Sequence, residues 1–164
     1  MFRTALIFMC LTISSACLGQ VDCDKIKEEN EYLKKTLRIN TPIKVVTTSN
    51  IEFSLIECKG NKQSQEVVLQ LILVNNNPDI EFQFSKANAI DVEGEGHMTY
   101  NLKIGVEGIR GKLYTGTPIK AKITFNKILP TTKILKVVGI THYIPAAAGR
   151  TQEFKFEDIA ISWD

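Results

Sequence analysis

The chain has 164 residues, 44% of them hydrophobic, and its 20 basic side chains against 18 acidic ones leave a net charge of +2. That length allows one domain and a small appendage, and the composition suits a chain that fills a core. The near-balance of charge argues against nucleic acid as a partner and against a strongly charged surface.

Residues 1–19 read as a secretory signal. Met1-Phe-Arg3 is a short, weakly positive start, Ala5 to Ile13 is an apolar core, and Ser14-Ser-Ala-Cys-Leu-Gly19 supplies small residues for cleavage after Gly19. The apolar part is too short to span a bilayer, which takes about 20 residues. A rival reading takes Ser14-Ser-Ala-Cys17 as a lipobox, with lipid on Cys17 as the one route to a membrane. Ser14 stands where that motif prefers a large aliphatic residue.

Residues 22–38 predict a helix, with residues 20–41 as an appended segment before a domain over 42–164. Asp22 or Asp24 can cap it, acids lead and bases trail, and Glu31 and Lys35 are four apart in the favourable order. Ile26, Asn30, Leu33 and Leu37 form a seam of about two heptads, which fits a short coiled coil with Asn30 as its polar register residue. Two heptads rarely hold together alone, so a helix laid on the domain or a frayed stalk competes. Asn40-Thr-Pro42 breaks the helix.

From there the chain reads as strands. Ile43 to Thr48 and Ile51 to Cys58 come first, then a polar turn over Lys59 to Ser64. Glu66-Val-Val-Leu-Gln-Leu-Ile-Leu-Val-Asn75 is apolar on both alternating faces, which predicts a central strand covered on both sides. Asn75-Asn-Asn-Pro-Asp79 stops it, because Asn and Asp side chains bond nearby backbone and Pro78 has no N–H to give. Ile80-Glu-Phe-Gln-Phe84 alternates strictly and predicts a hairpin with the strand before.

Ala89 to Val92, Met98 to Val106, Ile119 to Phe125 and Ile134 to Ile144 continue the series. The glycine-rich stretch 107–117 predicts a long loop, and 145–151 a second one; Arg110, Tyr114 and Arg150 are the candidate binding residues there. In the last strand Phe154 and Phe156 are even-numbered, while Ile159, Ile161 and Trp163 are odd. One pleated strand cannot put all five on one face, so a bulge or kink is expected near Glu157–Asp158. No amphipathic helix follows residue 38 to serve as a parallel crossover, so the expectation is an all-β, antiparallel sandwich, with a barrel second.

Three stretches carry a resemblance. They are Val67-Val-Leu-Gln-Leu-Ile-Leu-Val-Asn75, the turn Asp91-Val-Glu-Gly94 followed by Tyr100, and Gly116-Thr-Pro-Ile-Lys-Ala-Lys-Ile-Thr-Phe125. From Val67 to Asp164 the chain resembles the immunoglobulin-like sandwich domains of small exported bacterial envelope proteins. It departs from antibody-type domains, since Trp163 lies near the end and no Cys pair brackets a Trp. The resemblance implies binding, adhesion or accessory roles, and no catalytic residue carries over.

The chemistry searched for is sparse. His97 and His142, the only histidines, are far apart and lack Cys at ligand spacing, which argues against zinc. Asp91, Glu93 and Glu95 alternate around Gly94 and Gly96 and could offer oxygens to Ca²⁺, or simply be a polar hairpin tip. After cleavage Cys23 and Cys58 remain. A bridge between them would close a loop of about 35 residues and stabilise by roughly 3–4 kcal/mol. An intermolecular bridge through Cys23, or two separate thiols, are the alternatives. Neither a nucleophile elbow nor a phosphate loop is present. Lys120/Lys122 and Lys133/Lys136 read as a wet sheet face, with an anion site as the lesser reading.

No cofactor is expected. The leading expectation is a non-catalytic exported module that binds a protein or glycan partner in the envelope. Self-association through residues 22–38 comes second, and a glycan or peptide hydrolase third.

Overall fold

The computed structural model describes residues 25–29, 32, 41–106, 108–145 and 151–164. The chain divides into two compact units, Met1–Thr41 and Pro42–Asp164. In the first, residues 25–29 and Tyr32 are helical, within the expected helix. Its caps and the seam positions Asn30, Leu33 and Leu37 lie outside the described residues, as do the signal, Cys17 and Cys23.

The second unit is an antiparallel immunoglobulin-like β-sandwich. In chain order its strands are β1 (Lys44–Thr48), β2 (Ile51–Asn61), β3 (Glu66–Asn75), β4 (Ile80–Asp91), β5 (Gly96–Thr99), β6 (Leu102–Ile104), β7 (Arg110–Leu113), β8 (Pro118–Phe125), β9 (Ile134–Tyr143), β10 (Thr151–Ala160) and β11 (Ser162–Trp163). One sheet runs β1-β2-β3-β8-β6, and β11 adds to β2 in parallel. The other runs β10-β9-β4-β5, and β7 pairs with the start of β4.

β3 is central in its sheet, but it is not covered on both sides. Val67, Leu69, Leu71 and Leu73 are buried in the core, while Val68, Ile72 and Val74 are half-buried on the outer face and Gln70 is exposed. An antiparallel sheet needs only one dry face. The expected hairpin does not form either, because β3 and β4 lie in different sheets. The reason sits in the turn. The buried Asn75 side chain donates to Asn77 O, Pro78 O and Leu113 O, each at 3.1 Å, and arches the chain from one sheet to the other. The inward residues of β3 and β4 then face each other across the core instead of lying side by side.

Two expected strands, Ile80 to Phe84 and Ala89 to Val92, are one. A register shift between Phe84 and Lys86 moves the inward set from Phe82 and Phe84 to Ala87 and Ala89 without ending the strand. Conversely, the stretch from Met98 to Val106 is two strands in opposite sheets. Thr99 makes the switch: its Oγ1 donates to Thr124 O at 2.7 Å and accepts from Asn101 N at 3.0 Å. The expected break in the last strand is a kink. Asp158 has φ 52°, and the β9–β10 register is the same on either side of it. Glu157 and Asp158 are therefore both exposed, and Phe154, Phe156 and Ile159 all point inward.

The core is aromatic toward one end. Phe53 stacks on Phe154 with centroids 3.8 Å apart, Phe82 meets Phe84 edge-on, and Phe154 meets Phe156 likewise. At the other end Trp163 lies flat over Gly60, and its Nε1–H donates to Thr132 O at 2.7 Å. Any Cβ on Gly60 would sit inside the indole.

Candidate functional site

The stretch 107–117 is not a plain loop. Arg110 to Leu113 forms β7, with Gly111 opposite Phe82 and Arg110 opposite Gln83. Leu113 is the one large side chain β7 sends into the core, too little to give a period-2 signal. Gly111 passes so close to Ile104 that a Cβ would lie 3.2 Å from its Cγ2. This lets β7 tuck against β6.

Arg110 and Tyr114 come together at this rim. They line a cleft of about 250 Å³ with Gly105, Val106, Lys112 and Ile119. Val106 is fully exposed at 101% and Tyr114 half-exposed at 50%. Arg110 also lines a second cleft, of about 300 Å³, with Glu81, Gln83, Tyr143 and Pro145. Among the described residues no carboxylate pairs with Arg110. Lys112 is held: its Nζ is 3.4 Å from Asp79 Oδ2 and 5.1 Å from the Tyr114 ring centre. Asp79 accepts from Thr115 N at 3.1 Å. That backbone bond, more than Lys112, holds its carboxyl below the usual range. Arg150 lies outside the described residues.

The acidic turn is used internally. Asp91 Oδ1 accepts from Glu93 N at 3.1 Å and Glu95 N at 2.9 Å, and Oδ2 is 3.1 Å from His97 Nε2. Burial pushes the Asp91 carboxyl up, but His97 and the two N–H groups outweigh it and hold the acid below its ordinary value. The three candidate calcium ligands do not converge. Asp91 turns inward to cap its own turn, Glu93 and Glu95 face water, and among the described residues no three His, Cys, Asp or Glu side chains gather as a metal site.

His142 is fully buried, with Phe82, Phe53 and Phe154 at centroid distances of 5.2, 5.6 and 5.7 Å. Among the described residues neither ring nitrogen has a hydrogen-bond partner. Burial pushes the imidazole down to about 4, against a weaker upward pull from Gln152 across the ladder. Gln152 Oε1 itself accepts from Ser49 Oγ. Cys58 is a free thiol buried in the core, pushed up to about 12 by desolvation and then by Glu57. A bridge to Cys23 would have to reach that buried position. Glu66 and Asp164 share a third depression of about 290 Å³ with Lys59 and Gln70, but both acids are open to water.

No family model matches this chain, and no curated protein does. Solved structures share its outline at low identity. A putative ApaA protein from Bordetella pertussis is 14% identical with a TM-score of 0.43, over 75% of this chain and 96% of that one. PapD-like domain 7 of human CEP192 is 14% identical at 0.38, over 76% and 95%. A family 123 glycoside hydrolase from Clostridium perfringens is 12% identical at 0.33, over 60% of this chain and 22% of that enzyme. Among the described residues no helix is long and apolar enough to cross a membrane.

Proposed function

We propose that this chain is an exported, non-catalytic binding module of a cell envelope, and that it engages a protein partner through the β7 rim. The observation that carries the reading is Arg110, shared by two clefts and paired with no carboxylate among the described residues, with Tyr114 and the fully exposed Val106 beside it. Arg and Tyr are the side chains that concentrate binding energy at protein interfaces. Lys112 and Asp79 link β7 to the arch between the sheets.

Non-catalytic fits the chemistry at hand. The perturbed carboxylates, Asp79, Asp91 and Asp158, are each engaged by a neighbour that stabilises the fold. The acids of the third depression face water that nothing excludes, where glycoside cleavage needs two carboxyls in contrasting environments. Export rests on the residue pattern of 1–19 alone.

The test is photocrosslinking in cells that make the protein, with the crosslinker at position 114 and, as a control, at position 62 in the β2–β3 turn. The expected outcome is one protein captured at 114, lost on Arg110→Glu, and absent at 62. Capture at 62 alone, or none at 114, overturns the rim as the binding surface.

A further inference from the structure

The β6–β8 ladder sets Lys103 directly opposite Lys122. Leu102, Ile104, Ala121 and Ile123 are buried in the core, so both lysines stand on the outer face of the first sheet, and both are exposed. Like charges directly opposite one another destabilise a sheet. Lys120 stands two residues along β8 on the same face, about 7 Å away. The backbone facing it is Gly105, whose N–H donates to Lys120 O at 2.8 Å and which brings no side chain into the space.

Among the described residues no acid forms an ion pair with a lysine of this stripe. Among the described residues the ion pairs use other lysines, such as Lys59 with Glu57 and Lys136 with Asp158. The acid in the Lys122 row is Glu57, beyond Gln70. It is engaged by Lys59 at 2.8 Å and by Gln70 Nε2 at 2.6 Å, and among the described residues it forms no ion pair with Lys122.

We propose that Lys103, Lys120 and Lys122 form a docking stripe for a linear polyanionic glycan. Lysine ammonium groups act as point charges, suited to a repeating line of anions and not to bidentate recognition of one planar group. The neighbouring outer-face residues of β3, Val68, Ile72 and Val74, are half-buried, and the exposed Val45 lies on β1 at the opposite edge of the sheet, so no exposed large apolar side chain of β3 or β8 stands beside the lysines to insert into a membrane. Neither β6 nor β8 presents an exposed aromatic side chain for stacking bases or for anchoring a protein interface. A flat row of fixed charges remains, and a charged polymer lying along it matches that chemistry. None of the three lysines lines the rim clefts, so the stripe stands or falls independently of the proposed protein contact.

The experiment uses the purified full chain, with heparin and polygalacturonate as the sulfated and carboxylated probes, titrated at several salt concentrations. The triple variant Lys103→Glu, Lys120→Glu, Lys122→Glu is compared with Lys62→Glu, Lys127→Glu, Lys133→Glu, which changes the net charge equally elsewhere. The stripe variant should bind at least tenfold more weakly and show a shallower salt dependence, and the control should stay within about twofold of wild type. Lys103→Glu alone separates binding from folding. It places opposite charges across the ladder, so the melting temperature should rise while glycan affinity falls. Absence of wild-type binding, equal loss in both triple variants, tighter binding to phosphatidylserine vesicles or polyglutamate than to either glycan, or a lower melting temperature for Lys103→Glu would each overturn the proposal.

Discussion

His142 has both ring nitrogens buried without a hydrogen-bond partner among the described residues, inside a box of phenylalanines. Its folded-state proton affinity is lowered, from the ordinary 6.5 to about 4, so the fold favours the neutral ring. The associated stability is complete above pH 6.5 and is lost as pH falls from 6.5 toward 4. Urea melts across that window should show the loss, and His142→Phe should flatten the slope while holding stability near pH 7. An unchanged slope would mean the proton goes elsewhere. Asp91 behaves in the same sense, in a lower pH range. Its lowered affinity contributes stability above the unfolded carboxyl range, and that contribution is lost as pH falls through the folded value. Removing its side chain, Asp91→Ala, leaves the N–H groups of Glu93 and Glu95 without their acceptor, and should cost about 1–3 kcal/mol in a denaturant melt.

At the scale of the strand, departures from regularity are where side chains are re-aimed. Asp158 sits in the left-handed region at φ 52°, which lets β10 keep its register while its inward face changes phase. Asp tolerates that conformation and a β-branched residue does not. Asp158→Val should therefore destabilise by about 1–2 kcal/mol, and Asp158→Gly should change stability by less than about 0.5 kcal/mol despite losing the exposed Lys136 pair. Differential scanning calorimetry on the two variants checks this, and equal losses would place the cost in the ion pair. The β2–β11 corner makes a second case. Gly60→Ala drives a methyl into the Trp163 indole, and the ring must leave Thr132 O to escape. A loss of about 1–3 kcal/mol is expected from the same measurement.

For the whole molecule, Cys58 reports on the integrity of the core. Its thiol is buried and pushed up to about 12, so the reactive thiolate is scarce and shielded. After reduction, a maleimide should label Cys58 only as fast as the domain opens, with the rate rising in step with urea unfolding. Fast labelling of the native chain would mean that β2 opens locally. The division of labour between surfaces is also a whole-molecule property. The β7 rim offers a cation, an aromatic ring and bare apolar surface, whereas Lys103, Lys120 and Lys122 on the first sheet offer charge.

Much of this was legible along the chain because it depends on nearest neighbours in sequence. Alternation in Ile51 to Leu55, Val67 to Leu73 and Ile119 to Phe125 marks which residues point inward, and the change of phase after Phe156 required a break near Asp158. Other features depend on what meets a strand across space. Asn75 looks the same whether it ends a hairpin or anchors an arch; its bond to Leu113, 38 residues away, makes it an arch. Met98 to Val106 reads as one strand until Thr99 finds Thr124 in the opposite sheet. The opposition of Lys103 and Lys122, the shared position of Arg110 and the dry isolation of His142 arise from registers between strands far apart in sequence. A period-2 pattern specifies which face each residue takes. It carries no information about the neighbour on the next strand, and only the tertiary pairing supplies that.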